Sequence, residues 1–417
     1  MSSCAPGCPE YGRVSRRGFL TLAAGALAAT TVFGDTVLQT AWSREGAAPA
    51  VLVVLSLRGA ADGLNLVVPH ADPAYWTARP RIAIPKDRLL AADAMFGLHP
   101  ALAPLLPLWR DGRMAAVHAT GLPAPNRSHF SAMEEIEDAD PGSPARVGWL
   151  NRLVGRDGDT DPLHALHLGG PVPPTALLGP HPVGAAPAVD DIVLAGTDTG
   201  GPDDPRVRSL HTVWDGVPGP LGEGVRTAMR MVDDFGPVRA TPVTPANGAA
   251  YPTSDLGRAL AAAARTIRGD VGAEVITVDH GSWDMHADLG TVDRGDLRNM
   301  TADLASSLAA FFSDLGPVAE KVTVVTLSEF GRRVRENASM GLDHGHGNVM
   351  FLLGAGVKGG RYYGSWPGLT DTAQADLLVT RDYRSVLAEV VSSRFDASPA
   401  AVFPGVRLET IGAMAPR

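Results

Sequence analysis

The sequence predicts an α/β fold: a doubly wound, mostly parallel sheet with helices on both faces. Short, nearly continuous apolar runs recur along the chain, and stretches of helical length separate them. The 417 residues are 45% hydrophobic and 19% charged, enough apolar material to cover both faces of a large sheet. Length alone suggests two or three domains, but one large α/β unit can absorb it.

The first run is VLVVLSL (51–57), rich in Val and Leu as in a strand buried on both faces. RMAAVHA (113–119), AEVITV (273–278), KVTVVTL (321–327) and VMFLLG (349–354) are four more. Residues 100–111, 258–268, 296–315 and 383–393 read as helices between them. Strands alternating with helices imply a parallel sheet. Segments 170–187 and 196–220 are rich in Pro and Gly and read as loops. The organisation expected is a leader over residues 1–50, then one large α/β domain over 51–417 with an insertion around 170–220.

The leader reads as an address. SRRGFL (15–20) places a twin-arginine pair before the apolar run FLTLAAGALAATTVF (19–33). That run falls short of the ~20 residues a membrane span needs. Charged, apolar and small residues in that order fit an export signal. The twin-arginine translocase is then the export partner. The mature chain would have no stable membrane span and be periplasmic, cell-wall-associated or extracellular. Both cysteines, Cys4 and Cys8, precede the run. Signal removal would leave no thiol for disulfides, metal ligation or nucleophilic attack.

Formal net charge is −9, and only three lysines occur. No basic stripe interleaved with aromatics is present, so nucleic acid is not an expected partner.

In open α/β sheets, ligands bind beyond the carboxyl ends of the strands, so the residues after each run matter most. After the first comes RGAADGLN (58–65), where Asp62 precedes a glycine as turn residues do. After the second comes NRSHF (126–130). Ser128 stands where a loop enters a helix at His129. It reads either as an N-cap or as a nucleophile, with Arg127 or Asn126 holding an oxyanion. After the third comes DHGSWDMHADLG (279–290). Asp284 and His286 are two apart, so extended backbone points both to one side. After the fourth, SEFGRR (328–333) places Glu329 at a strand end and Arg332 three residues on. GLDHGHGNVM (341–350) then packs Asp343, His344 and His346 among three glycines. A polar turn uses the same residue types, but no turn geometry requires two imidazoles. Oxygen and imidazole ligands without sulfur suit a divalent metal. The histidine share favours zinc or manganese, with calcium and magnesium compatible.

Taken together, LRGAADGLN, NRSHF, WDMH, SEFGRR and DHGHG, behind a twin-arginine pair, resemble the bacterial family called domain of unknown function 1501. That family is similar to the alkaline phosphatase and sulfatase superfamily. The resemblance implies an alkaline-phosphatase-like core, with Asp62 as a metal ligand after the first strand and Ser128 as nucleophile. It implies Asp284 and His286 as a ligand pair, Glu329 as a late acid ligand, and Asp343, His344 and His346 as the closing set. The superfamily's late Asp-His-Gly does not follow the late strand here, so either the ligands have moved along the chain or one of two metal positions has been lost, and no sulfatase signature surrounds Ser128.

The function expected is a secreted, metal-dependent hydrolase of phosphate or sulfate esters, acting on a small-molecule or glycan-linked substrate. Arg127 or Arg332 would fork onto substrate oxygens. The alternative is a secreted, non-catalytic binding module that keeps the fold and one structural ion.

Overall fold

The structure is a computed structural model that describes residues 47–140, 143, 146–158, 160–194 and 204–417. The twin-arginine pair, the apolar run after it and both cysteines lie outside the described residues. The described residues form two compact units: 193–194 with 204–233, and 47–192 with 234–417.

The larger unit carries a nine-stranded sheet. Its strands are β1 (Val51–Leu57), β2 (Met114–Gly121), β3 (Ala165–Leu168), β4 (Gly184–Ala186), β5 (Val275–His280), β6 (Val322–Leu327), β7 (Asn348–Gly354), β8 (Arg361–Tyr363) and β9 (Arg381–Asp382). The spatial order is β8-β2-β7-β6-β1-β5-β3-β4, with β9 also paired to β2. Every pairing is parallel except those β7 makes with β2 and β6. The five apolar runs are β1, β2, β5, β6 and β7.

All seven residues of β1 are buried, and their alternation feeds two cores. Val51, Val53, Leu55 and Leu57 pack with α4 (Asp255–Gly269) and α5 (Asp296–Leu315). Leu52 and Val54 pack with the short helix Trp149–Val154 and with α6 (Tyr383–Arg394). The fold is therefore α/β with helices on both faces of a mostly parallel sheet, as the apolar runs imply. In α4, Leu256, Ala259, Leu260, Ala263, Ala264 and Ile267 are buried, a helical stripe facing the sheet. Ser254 caps α4 by accepting from the N–H of Gly257 at 3.1 Å.

The segment 100–111 is not one α-helix. A 3-10 turn, Pro100–Leu105, leads into the α-helix Leu106–Arg110. Pro104 and Pro107 lack the N–H that a continuous helix needs. Two elements also form inside the Pro/Gly-rich stretches, β4 and the helix α2 (Pro205–Trp214). Asp204 caps α2, accepting from the N–H of Arg206 at 2.8 Å, and Pro205 suits the first helical position.

The smaller unit contains α2 and α3 (Gly219–Asp234) up to residue 233. Arg226 closes the turn between them, donating from Nη1 to the carbonyls of Trp214 at 2.9 Å and Val217 at 2.8 Å. Gly222, Val225, Met229 and Val232 form the buried stripe of α3.

The sheet depends on its covering helices. Leu308 of α5 is 1% exposed in the core that contains Val53 and Leu55. Leu308→Ala should lower unfolding free energy by about 2–5 kcal/mol, measured by urea denaturation of the full chain.

Candidate metal centre

Strand direction gathers the site. β2, β6, β1 and β5 run the same way, so their carboxyl ends share one rim. The reversed β7 begins at that rim, since its Asn348 pairs Thr120 near the end of β2 while its Gly354 pairs Thr323 near the start of β6. Loops that follow four strands and precede a fifth therefore meet. Asn348, the first residue of β7, ties two of them together, its Nδ2 donating to the carbonyls of Ala61 at 3.0 Å and Phe330 at 2.7 Å.

At this rim the imidazoles of His129, His286 and His344 converge on Asp284. His344 Nε2 lies 2.9 Å from both His129 Nε2 and His286 Nε2. Asp284 Oδ1 lies 2.9 Å from His286 Nε2 and 3.5 Å from the Nε2 of both His129 and His344. His129, Asp284 and His344 form a His/Asp/His set able to hold a metal ion, and His286 lies against two of its members.

The far side of each ring shows which nitrogens face inward. His129 Nδ1 meets Glu329 Oε1 at 2.8 Å, His286 Nδ1 meets Asp343 Oδ1 at 3.2 Å, and His344 Nδ1 meets the Arg127 carbonyl at 2.8 Å. Carboxylate and carbonyl oxygens accept, so each Nδ1–H donates, and a neutral ring then turns its Nε2 lone pair inward. Lone pairs so close repel one another unless a proton or cation lies between them. Zinc–nitrogen bonds of about 2.0–2.1 Å at tetrahedral angles would set neighbouring nitrogens about 3.3 Å apart. The observed separations of 2.9 to 3.5 Å bracket that value. The donor set therefore fits a divalent cation.

Charge favours the same state. Burial pushes the Asp284 carboxyl up, but Arg332 outweighs it, with help from His286 and His129, and the carboxyl sits below its usual range. Asp343 is likewise held low, as Asn337 and His286 overcome burial. Burial chiefly, with His129, Arg332 and His286 nearby, lowers His344 and favours the neutral ring that a metal ligand needs.

Glycines permit the close approach. Gly59 has φ of +103°, and a Cβ there would lie 2.7 Å from the Asp284 amide nitrogen. Its own N–H donates to Glu329 Oε1 at 2.8 Å. A Cβ at Gly341 would lie 2.1 Å from the His286 carbonyl carbon. In the bend 341–347, glycine thus serves backbone contact rather than positive φ.

Several of the expected residues lie away from the cluster. Asp62 is outside the cluster, because both its oxygens accept from Arg79 Nη1 at 2.6 Å and Nη2 at 3.0 Å. Arg79 is fully buried and requires that counter-charge. His346 turns away, its Nε2 against the Leu122 carbonyl at 2.8 Å. Backbone bonds turn the chain there: Gly345 N–H donates to the Gly331 carbonyl and Gly331 N–H to that of His346, both at 2.8 Å.

Arg332, expected to fork onto substrate, is turned into the fold instead. It is 1% exposed and donates to Asp284 Oδ1 at 2.6 Å and to the carbonyls of Ala60 at 2.6 Å, Leu342 at 3.0 Å, Trp283 at 3.2 Å and Gly59. Arg127 pairs through its side chain with Asp376 and offers its carbonyl to the site. Glu329 and Asp343 stand behind histidines as orienting groups. Ser128 is exposed at the start of α1 (His129–Asp138) and makes no side-chain capping bond. His129, the first residue of α1, belongs to the set able to hold a metal ion although the strand-end motifs did not single it out. Its signal lies in NRSHF, one position beyond Ser128.

The separation of Asp62 from the cluster is measurable. Asp62→Ala should destabilise the fold by about 3–5 kcal/mol, because it leaves Arg79 buried without a partner. Metal content per folded molecule should stay unchanged. Loss of the ion with fold retained would return Asp62 to the ligand set.

Residues 237–389 match the model of a family described as Protein of unknown function (DUF1501). That segment holds Asp284, His286, Glu329, Arg332, Asp343 and His344, while His129 precedes it. No curated protein matches the chain. Over that segment the match agrees with the resemblance to the DUF1501 family that the motifs suggest.

Proposed function

We propose that the chain is a metal-dependent hydrolase, with His129, Asp284 and His344 as principal ligands and His286 as a fourth, outer one. The observation that carries this reading is the convergence of three imidazole Nε2 atoms on Asp284 Oδ1, with every Nδ1 secured from behind. A bound zinc or manganese ion would lower the pKa of a water and polarise the bond to be cleaved. The protein's own part is orientation. Glu329 and Asp343 aim two of the rings, and Arg332 holds Asp284 ionised. The His286 side chain is 45% exposed, which leaves room for an incoming molecule beside it.

Phosphate and sulfate esters are the substrate class that the superfamily resemblance implies. Ser128 would serve as the nucleophile, which its exposure and its position next to His129 support. Arg127 and Arg332 are both committed to carboxylates, so charge on a transferring group would be met by the ion. The twin-arginine stretch supports export before action on a small-molecule or glycan-linked ester outside the cytoplasm. One observation favours a second reading, a binding module with a structural ion: four protein ligands can close a tetrahedral shell.

Two measurements test these readings. His129→Ala and His344→Ala should each lose most of the bound zinc by elemental analysis, whereas His346→Ala should retain it; the reverse pattern would overturn the ligand set. Zinc- or manganese-loaded protein should hydrolyse members of a panel of aryl phosphates, phosphodiesters and sulfates, and metal-free protein should not. Full metal occupancy without turnover would favour the structural-ion reading. Undiminished turnover in Ser128→Ala would remove only the nucleophile role.

A further inference from the structure

The metal cluster opens into a cleft of about 680 Å3, a volume typical of small-molecule sites. Gly59, His129, Asp284 and Glu329 reach it from the rim. Its two walls are apolar and come from distant parts of the chain. Phe130 and Met133 of α1 form one, and Val172, Pro173 and Pro174 of the Pro-rich segment form the other. Phe130 is 87% exposed and Val172 72% exposed. Large apolar side chains scattered singly on a surface need no explanation, but a pair lining one cleft beside a candidate metal site does.

Charge narrows what the walls can receive. Arg58 is the sole Lys or Arg among the described lining residues. Its Nη2 lies 2.8 Å from Glu137 Oε1, and its Nε lies 3.0 Å from Asp279 Oδ2. Of the lining acids outside the metal cluster, Glu137 is the one paired with Arg58, and Glu134 lies 3.2 Å from Arg146. Two carboxylates thus oppose the one guanidinium, and among the described lining residues no Lys or Arg is left uncommitted for an anionic substituent.

We propose that the substrate carries an uncharged apolar group, aromatic or branched aliphatic, next to the bond that is cleaved, and that Phe130 and Val172 hold it. This specificity rests on the metal-centre reading above. It places the selective contact one residue from the ligand His129, so the group held by Phe130 lies beside the reacting bond. It also gives the Pro-rich segment 172–174 a role: prolines fix the backbone, so the wall is presented with little loss of entropy.

Two hydroxamates that differ only in their tail test the inference on the zinc-loaded full chain. Acetohydroxamate supplies the metal-binding head alone, and an arylacetohydroxamate adds an apolar ring. Calorimetry should show the aryl compound binding at least about tenfold tighter, the effect of burying roughly 55 Å2 of apolar surface. Phe130→Ser and Val172→Ser should each remove most of that advantage without changing zinc content or acetohydroxamate affinity. Equal affinity of the two compounds, or an advantage untouched by both substitutions, would overturn the inference and leave the metal centre standing. Failure of both compounds to bind in a zinc-dependent way would overturn the metal reading, and this inference with it.

Discussion

The Arg332 guanidinium is the interaction on which the rim depends. It reaches backbone carbonyls after β1, after β5 and before β7, and it binds the Asp284 carboxylate. A planar group with several fixed donors can join that many partners, and an ammonium cannot. A cation so deeply buried persists only where its donors are satisfied. Its partners are therefore held as firmly as it is. Asp284 emerges ionised and aimed, although burial alone would raise its pKa.

The imidazoles follow the same logic one layer out. Each ring has one nitrogen pinned and the other presented, so direction is settled by Glu329, Asp343 and the Arg127 carbonyl. Glu329 is itself fixed by the Gly59 N–H and by Ser328 Oγ at 3.2 Å. Residues of the ligating type thus divide into two shells. Ligand identity cannot be read from residue type alone, because the same carboxylate serves either shell according to its distance from the meeting point.

The β elements were legible because burial on both faces writes itself as uninterrupted Val, Leu and Ile. β1 and α5 coincide with their predicted spans, and β2, β5, β6 and β7 differ from theirs by one or two residues at an end. β4 and α2 were not legible, since small residues at a sheet edge and a capped helix among prolines carry no strong periodicity. Within the site, Asp284, His286 and His344 stood out as clustered acids and imidazoles near strand ends. Asp62 looked equivalent but was claimed by Arg79, a partner 17 positions away that no local pattern marks. His346 shares a motif with His344, yet backbone bonds to Gly331 turn it toward Leu122.

By itself the sequence determined the layered α/β plan and the supply of oxygen and imidazole ligands, because both follow from local composition and short-range periodicity. It also carried motifs that resemble those of the DUF1501 family, whose model matches residues 237–389. Which side chains meet was decided only by tertiary structure. The reversal of β7 brings the 341–347 bend to the rim where the other loops emerge. The turn into α1 delivers His129 from more than two hundred residues away to within 2.9 Å of His344. Such meetings depend on strand direction and on buried charges choosing partners across the fold, and neither leaves a trace in neighbouring residues.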